Sequence, residues 1–419
     1  MLRAYKKQQL VKTYQKTLPL NFTISNENDL VKVESTAQEI LKDFPLISDL
    51  IKLEDEVKDS NQDMGLSLAI KLAKSKAVVN SIEKPIQLSI VFAMYKENNR
   101  ILSSTKHPNG ENFLMVKIHQ LQWLFKDNPN INWNLYPVDD GCPEGSGEIA
   151  NEILSSNNIK GNVEVLFLND AIENKLEIAK SLTSTNDSQK GGAIEYGMWY
   201  ASRKIYNHHH IIAFTDADLS THLGQTGLLI QPLLLDNIYS AIGSRREKNS
   251  VVIKKGVRNT RGKLFIYLWK RMLPELNYLV DTQCGFKAFK SESVNEIIND
   301  LIETKFAFDI ELLLKTELLN KNSISKVGIA WIDSEAESTT TDIQPYLPML
   351  KSIAKMYHKY TGSHKESEQF ADFILSLSNQ QWDLLVENVP TEISEREPVE
   401  FDKYNGVSVA DLNNLLLSL

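Results

Sequence analysis

The first 84 residues place their apolar positions at helical spacing and contain no strong strand-like run. Ile40, Leu41, Phe44, Ile47, Leu50 and Ile51 recur every three or four positions, as on one face of a helix. Pro45 interrupts that stripe and predicts two short helices or a kink. Leu66, Leu68, Ala69, Leu72 and Ala73 predict another helix. The texture changes at Pro85. Residues 87–93, Gln-Leu-Ser-Ile-Val-Phe-Ala, form the short apolar run of a buried strand. Further strands are predicted at 132–138, 163–168, 210–215 and 239–243, with a helix at 192–203. This order implies an open α/β sheet covered by helices, with ligands beyond the carboxyl ends of its strands. From about residue 336 the strand signals fade. Ile343, Leu347, Leu350, Ile353, Ala354 and Tyr357 form a helical stripe, and Lys351, Lys355 and Lys359 a separate row. That row is either the solvated face of a helix packed on the core or part of a basic helix resting on an anionic membrane. Residues 363–400 are polar and acidic around a small cluster of Trp382, Leu384 and Leu385, and 406–419 resemble a capped terminal helix. The expected organisation is a helical extension at 1–84, an α/β domain at 85–335 and a helical region at 336–419.

Length and composition narrow the function. A chain of 419 residues is long enough for two or three domains, and 42% hydrophobic with 24% charged residues excludes wholesale disorder. Lys and Arg number 46 against 54 Asp and Glu, a net charge of −8, which argues against a general nucleic-acid binder. The two cysteines, Cys142 and Cys284, cannot form a disulfide framework and fit a reducing compartment. The first residues carry no apolar leader-like run. The best spanning candidate, 227–235, is short and broken by Gln231 and Pro232. The expectation is a soluble cytoplasmic protein, with room for a peripheral membrane contact.

The most informative spot is Asp216-Ala217-Asp218, directly after an apolar strand. Two carboxylates at a strand end cannot both lie unpaired in a dry core, and a turn can aim them at one hard cation, Mg²⁺ or Mn²⁺. The pattern also arises by chance or in a helix-capping turn, but it has company. Asp139-Asp140-Gly141 ends an earlier strand, and Lys190-Gly191-Gly192-Ala193 precedes a helix, which suits close backbone approach to a phosphate. Gly243-Ser244-Arg245 follows another strand. Arg258 and Arg261 lie in a basic stretch with Lys254 and Lys255. Asp281-Thr-Gln-Cys-Gly-Phe-Lys287 is rich in groups that bind rather than pack, and Phe308-Asp309-Ile310-Glu311-Leu312 follows it.

In this order the motifs resemble the inverting family-two glycosyltransferases of GT-A fold, most closely the dolichyl-phosphate glucosyltransferase branch. Residues 89–102, Ser-Ile-Val-Phe-Ala-Met-Tyr-Lys-Glu-Asn-Asn-Arg-Ile-Leu, look like that family's first strand and loop. Tyr95, Glu97, Arg100 and Ile101 match its pattern, whereas Ala93, Met94, Lys96 and Asn98 depart from it. The Lys-Gly-Gly-Ala, Asp-Ala-Asp-Leu-Ser, Gly-Ser-Arg and Asp-Thr-Gln-Cys-Gly-Phe-Lys segments match well. The resemblance spans 85–335 and implies a Rossmann-like open mixed sheet between helical extensions. It implies a nucleotide-sugar donor, with a UDP-sugar favoured and glucose as the expected sugar. Tyr95, Glu97 and one of Asp139 and Asp140 would hold nucleobase and ribose, and Lys190, Gly191 and Gly192 would approach the nucleotide. Asp218, helped by Asp216, would hold the metal on the diphosphate.

The acceptor stays open at this stage. A hydroxyl acceptor, on a glycan, protein or small molecule, needs a general base, and Asp309 aligns with the Asp of the family's Glu-Asp base motif although Phe308 replaces the Glu. A polyprenyl-phosphate acceptor is already ionised and needs cations instead, which Arg245, Arg258 and Arg261 could supply. Asp281 is either a site carboxylate or a turn cap. His222 either touches the metal or diphosphate or packs inside, and Trp331 either belongs to the core or stacks on a sugar. His208, His209 and His210 are expected in a solvated loop, and Cys284 as a packed small residue. Two other functions compete: a sugar-nucleotide nucleotidyltransferase, whose Gly-rich loop is replaced here by Ala-Met-Tyr-Lys-Glu, and an inactive nucleotide-sugar-binding scaffold.

Overall fold

The computed structural model describes residues 2–19, 22–24, 26–58, 64–253, 259–333 and 345–418. Four helices come first: α1 Leu2–Thr17, α2 Glu27–Asp43, α3 Ile47–Lys58 and α4 Met64–Asn80. The break at Pro45 falls between α2 and α3, as the proline requires. The chain then alternates through β1 Ile86–Met94, α5 Phe113–Phe125, β2 Ile131–Asp139, α6 Ser146–Ser156, β3 Leu166–Phe167, α7 Leu168–Glu173, α8 Gly191–Ser202, β4 His209–Thr215, α9 Thr226–Leu233, β5 Ser240–Ser244 and β6 Val251–Ile253. It continues through α10 Asn259–Met272, β7 Phe286–Lys290, α11 Ser291–Ile297, α12 Phe308–Leu319, β8 Ile324–Gly328 and β9 Ala330–Ile332. Helices α13 Tyr346–Met356, α14 Lys365–Ser376, α15 Asn379–Glu387, α16 Thr391–Ser394 and α17 Val409–Ser418 follow.

Among the described residues, seven strands form one sheet in the order β3-β2-β1-β4-β7-β5-β8, and β6 pairs with β9. All neighbours in the large sheet run parallel except β7, which is antiparallel to β4 and β5. This is the open mixed sheet flanked by helices expected of a GT-A glycosyltransferase. The reversed strand matters for function. The carboxyl ends of β1, β2, β4 and β5 share one edge, and β7 brings its beginning there. The segment 281–285 therefore reaches the edge although no strand ends in it.

The sheet buries both faces. Ile86, Leu88, Ile90 and Phe92 of β1 pack with residues of α2, α3, α4 and α5, including Val33, Leu53, Leu72 and Leu121. Val91 turns the other way, toward a second core that joins Phe214 and Phe289 to α8, α10, α12, α13 and α14. The terminal helices are thus walls of the two cores. The expected C-terminal stripe points inward, with Leu347, Leu350, Ile353, Ala354 and Tyr357 buried, whereas Ile343 lies outside the described residues. Lys355 is exposed, and Lys359 pairs with Asp300. The expected boundary at 335/336 falls outside the described residues. Among them, no helix is long and apolar enough to cross a membrane.

Two local expectations need correction. The strand expected at 163–168 shrinks to Leu166–Phe167, and Val163 makes only an isolated bridge to Leu135. Leu168 already begins α7. His210 is not in a solvated loop: it belongs to β4, is 7% exposed and meets the Ser89 hydroxyl at 2.9 Å. Burial depresses its imidazole to about 4, so it is neutral at physiological pH.

Candidate active site

Three loops at the carboxyl edge carry the expected donor residues. After β1 the chain turns sharply at Lys96, with a left-handed φ of 57°. This turn buries Glu97, whose N–H donates to the Ser146 hydroxyl at 3.0 Å. After β2, Asp139 spends both carboxylate oxygens on backbone N–H groups: Oδ1 on Gly141 at 2.9 Å and Cys142 at 2.8 Å, Oδ2 on Gly147 at 2.8 Å. Asp139 therefore builds the loop, and Asp140 is the member of the pair turned toward the Lys190 segment. Its Oδ2 accepts the Lys190 N–H at 2.7 Å, and among the described residues nothing donates to its buried Oδ1. Burial raises the Asp140 carboxyl to about 6.

The Lys190 turn is held from behind. Lys190 itself is left-handed, φ 76°, and the N–H groups of Gln189 and Gly192 both donate to the Thr304 carbonyl, at 3.1 and 2.9 Å. Gly191 fits because a Cβ there would stand 2.6 Å from the Lys305 carbonyl oxygen. The Lys190 ammonium pairs with Oδ1 of Asp216, the first carboxylate after β4. Burial works against the charge on Asp216, but the neighbouring cations, Lys190 foremost, hold it below the usual carboxylate range. The Asp216 N–H donates to the Gly285 carbonyl at 3.0 Å, extending the antiparallel β4–β7 ladder into the site.

Asp218 stands in a charge network with Glu97 and Arg100 that also takes in Lys117 and Glu111, from outside the motifs. Its Oδ1 accepts the Ser220 N–H at 3.0 Å, and its backbone carbonyl accepts the Lys117 ammonium at 2.7 Å. Lys117 is fully buried on α5, with its ammonium 5.6 Å from the Phe92 ring centre, and burial lowers it to about 8. Arg100 bridges Glu97 at 3.2 Å and Glu111 at 3.0 Å, and lies 3.9 Å from Asp218 Oδ2. Burial raises Glu97 to about 7 despite Arg100. Lys117 left a detectable trace, being a lone cation inside the apolar run 113–125.

On the other side of Asp216 the pairs are tighter. Arg245, just after β5, holds Asp281 with three hydrogen bonds, and its guanidinium lies 5.3 Å over the Trp331 ring. Trp331 is half-buried, neither wholly core nor free. Asp309 opens α12 and is 3% exposed, its Oδ1 2.5 Å from the Lys287 ammonium. Burial raises the Asp309 carboxyl even beside Lys287. The structure therefore brings together Glu97, Asp140, Lys190, Gly191, Gly192, Asp216 and Asp218, with Arg245, Asp281 and Asp309 beyond them. Tyr95 is 44% exposed at the rim, and Arg261 is exposed in the first turn of α10. Arg258 lies outside the described residues. Of the two readings of His222 the structure shows the packed one: it is fully buried, with its Nε2 3.3 Å from Glu34 of α2.

A divalent cation fits this edge. Asp216 and Asp218 have side chains 32% and 26% exposed and present hard oxygen donors. Among the described residues no group of three His, Cys, Asp or Glu side chains converges, so phosphate oxygens of a substrate would complete the shell.

No family model matches the chain. It is similar to a dolichyl-phosphate beta-glucosyltransferase from Drosophila melanogaster, 26% identical over 284 residues, covering 66% of this chain and 76% of the relative. The dolichyl-phosphate beta-glucosyltransferase of Homo sapiens is 25% identical over 287 residues, covering 66% and 77%. Among solved structures, glucosyl-3-phosphoglycerate synthase from Mycobacterium tuberculosis, in complex with Mn²⁺, UDP-glucose and phosphoglyceric acid, aligns with a TM-score of 0.46 at 14% identity, over 68% of this chain and 84% of that one. On the two sequence relatives and the residues at the sheet edge, the chain is a glycosyltransferase related to the dolichyl-phosphate beta-glucosyltransferases.

Proposed function

We propose that the protein transfers glucose from UDP-glucose to a polyprenyl phosphate by one in-line displacement with inversion. The observation that carries this is the convergence of Asp140, Lys190, Asp216 and Asp218 on one sheet edge, beside a cation held over Trp331. Glucose and the lipid phosphate follow from the relatives' names, and UDP from the family resemblance. Asp140, Glu97 and Tyr95 face the nucleoside, and Lys190 and the N-terminus of α8 face the diphosphate. Asp218, helped by Asp216, would hold Mg²⁺ or Mn²⁺, which when bound neutralises charge on the departing UDP. An acceptor phosphate oxygen attacks the anomeric carbon as the bond from that carbon to the UDP oxygen breaks. Such an oxygen is already ionised, so no general base is required. Arg245, and Arg261 at the rim, would attract it. Asp309, in its ion pair with Lys287, then orients rather than deprotonates. With no membrane-crossing helix among the described residues, the lipid would be met at the surface of a bilayer.

The deciding experiment has two arms. The first is thermal stability with UDP and GDP, with and without Mn²⁺ or Mg²⁺, for the wild type and Asp218→Asn. A ligand at ~100 times its dissociation constant stabilises the fold by about 2.7 kcal/mol. A UDP shift that needs metal and disappears in the variant is the expected result. The second arm is transfer of labelled glucose from UDP-glucose to a short polyprenyl phosphate. Binding without turnover on any acceptor would favour the inactive scaffold, and no nucleotide shift at all would remove the donor site.

A further inference from the structure

The C-terminal helical region reaches the donor loop through a buried side chain. Just after α13 the chain makes a π-helical turn, Tyr357–Thr361, a geometry frequent at functional positions. Two residues of that turn grip the segment between α11 and α12. Lys359 donates to the Asp300 carbonyl at 2.6 Å and pairs with its carboxylate at 2.9 Å. The Tyr360 hydroxyl donates to Oε1 of Glu311, the same oxygen that accepts the Ile302 N–H at 2.9 Å. The other oxygen of Glu311 accepts the Glu303 N–H at 2.8 Å, and Glu311 is fully buried. The segment so fixed ends at Thr304, whose carbonyl takes both the Gln189 and Gly192 N–H groups, and whose hydroxyl donates to the Asp187 carbonyl at 2.8 Å. Lys190 lies between those two N–H groups in a left-handed conformation, with its ammonium on Asp216.

We infer that Tyr360 and Glu311 are positioning residues for the Lys190–Gly192 turn, so that the C-terminal region sets the affinity for the nucleoside diphosphate. Neither touches the proposed substrates; each acts through 302–304. This rests on the donor-site reading above. Two features make the relay more than ordinary packing. The buried carboxylate of Glu311 accepts three hydrogen bonds from two separate elements. The turn it supports holds a non-glycine residue, Lys190, at φ 76°, and only a glycine at 191 admits the 304–305 backbone so close.

The test compares wild type, Tyr360→Phe and Glu311→Gln. The first variant removes one hydroxyl and keeps the ring. The second places an amide NH₂ among hydrogen-bond donors. Amide exchange by mass spectrometry at 187–193 reads the turn directly, and exchange in β1 reads global stability. UDP with Mn²⁺ is the binding probe. Both variants should speed exchange at 187–193 while leaving β1 unchanged, weaken UDP by about five-fold, the low end of site-to-site coupling, and raise the donor KM without changing the acceptor KM. Exchange that stays at the wild-type rate in the turn, or that rises equally throughout the chain, overturns the inference. If the wild type binds no UDP while the turn still loosens in Tyr360→Phe, the donor-site reading fails and the structural coupling stands.

Discussion

Arg245 and Asp281 form a complete fork-to-fork pair: Nε to Oδ2 at 2.8 Å, a terminal nitrogen to Oδ1 at 2.6 Å, and the Arg245 backbone N–H to Oδ2 at 2.7 Å. Although burial opposes charge on Asp281, Arg245 pulls the carboxyl down to about 2. Both oxygens are occupied, which leaves Asp281 to aim Arg245 rather than to take a proton. Asp281→Asn should cost about 3 kcal/mol of stability, the lower range for breaking a buried pair, and should reduce turnover while raising the acceptor KM. Denaturant unfolding and steady-state kinetics check both. Because the folded pKa lies below the unfolded one, the pair's contribution is present near neutrality and is lost as pH falls from about 4 toward 2.

Glu97 has the opposite sign. Its folded value of about 7 lies above the ordinary 4.5. The folded state therefore holds the proton longer than the unfolded chain, and ionising Glu97 inside the protein is unfavourable. Its contribution makes stability fall between about pH 4.5 and 7, by up to about 1.4 kcal/mol per unit. Glu97→Gln should flatten this part of the curve. The measurement is the difference in unfolding free energy between wild type and variant at pH 5 and pH 8; equal differences at both would contradict the assignment.

For Asp309 the acceptor decides. If the nucleophile is a phosphate, Asp309→Asn should keep turnover within about ten-fold of wild type. If it is a hydroxyl, loss of the base should cost about 10² to 10⁴. Lys287, fully buried, would then face an amide instead of a carboxylate, so a lowered melting temperature is expected in either case.

Gly285 sits against Asp216, a proposed metal ligand. A Cβ there would fall 2.1 Å from Asp216 Oδ1, so Gly285→Ala must push the carboxylate aside. The expected outcome is a folded protein whose UDP affinity becomes less dependent on Mn²⁺, read by calorimetric titration with and without metal. Unchanged metal dependence would mean that Asp216 takes no part in holding the ion.

Much of this edge was legible in the sequence because it is written in short segments. Asp216-Ala217-Asp218, Lys190-Gly191-Gly192 and Gly243-Ser244-Arg245 each follow or precede a strong apolar element, and each reached the edge. What escaped was whatever depends on contacts between distant segments. Asp139 and Asp140 look equivalent in sequence, yet only the fold shows one consumed by three backbone N–H groups. Strands β7 and β8 escape because they are short and their polar positions, such as Lys287 and Lys326, hide the alternation, whereas the apolar strand read as ending at Trp331 is β9. Lys117 and Glu111 came from outside any motif. Arg258 lies where the structure describes nothing, so its role rests on sequence alone.

The intimate fit of α4 against α9 has a consequence for how the chain is made. The Gly227 N–H donates to the Ser75 hydroxyl at 2.9 Å across 152 residues, and a Cβ on Gly227 would meet the Ser75 carbonyl oxygen at 2.4 Å. Helix α4 leaves the ribosome long before α9 exists. At roughly 5–20 residues per second that interval is about 8–30 s, during which α4 has α2 and α3 to pack against but the face around Ser75 and Val79 that receives Gly227 stays uncovered. Synonymous changes that slow translation between residues 80 and 226 should lengthen that exposure and lower the soluble yield without altering the finished molecule.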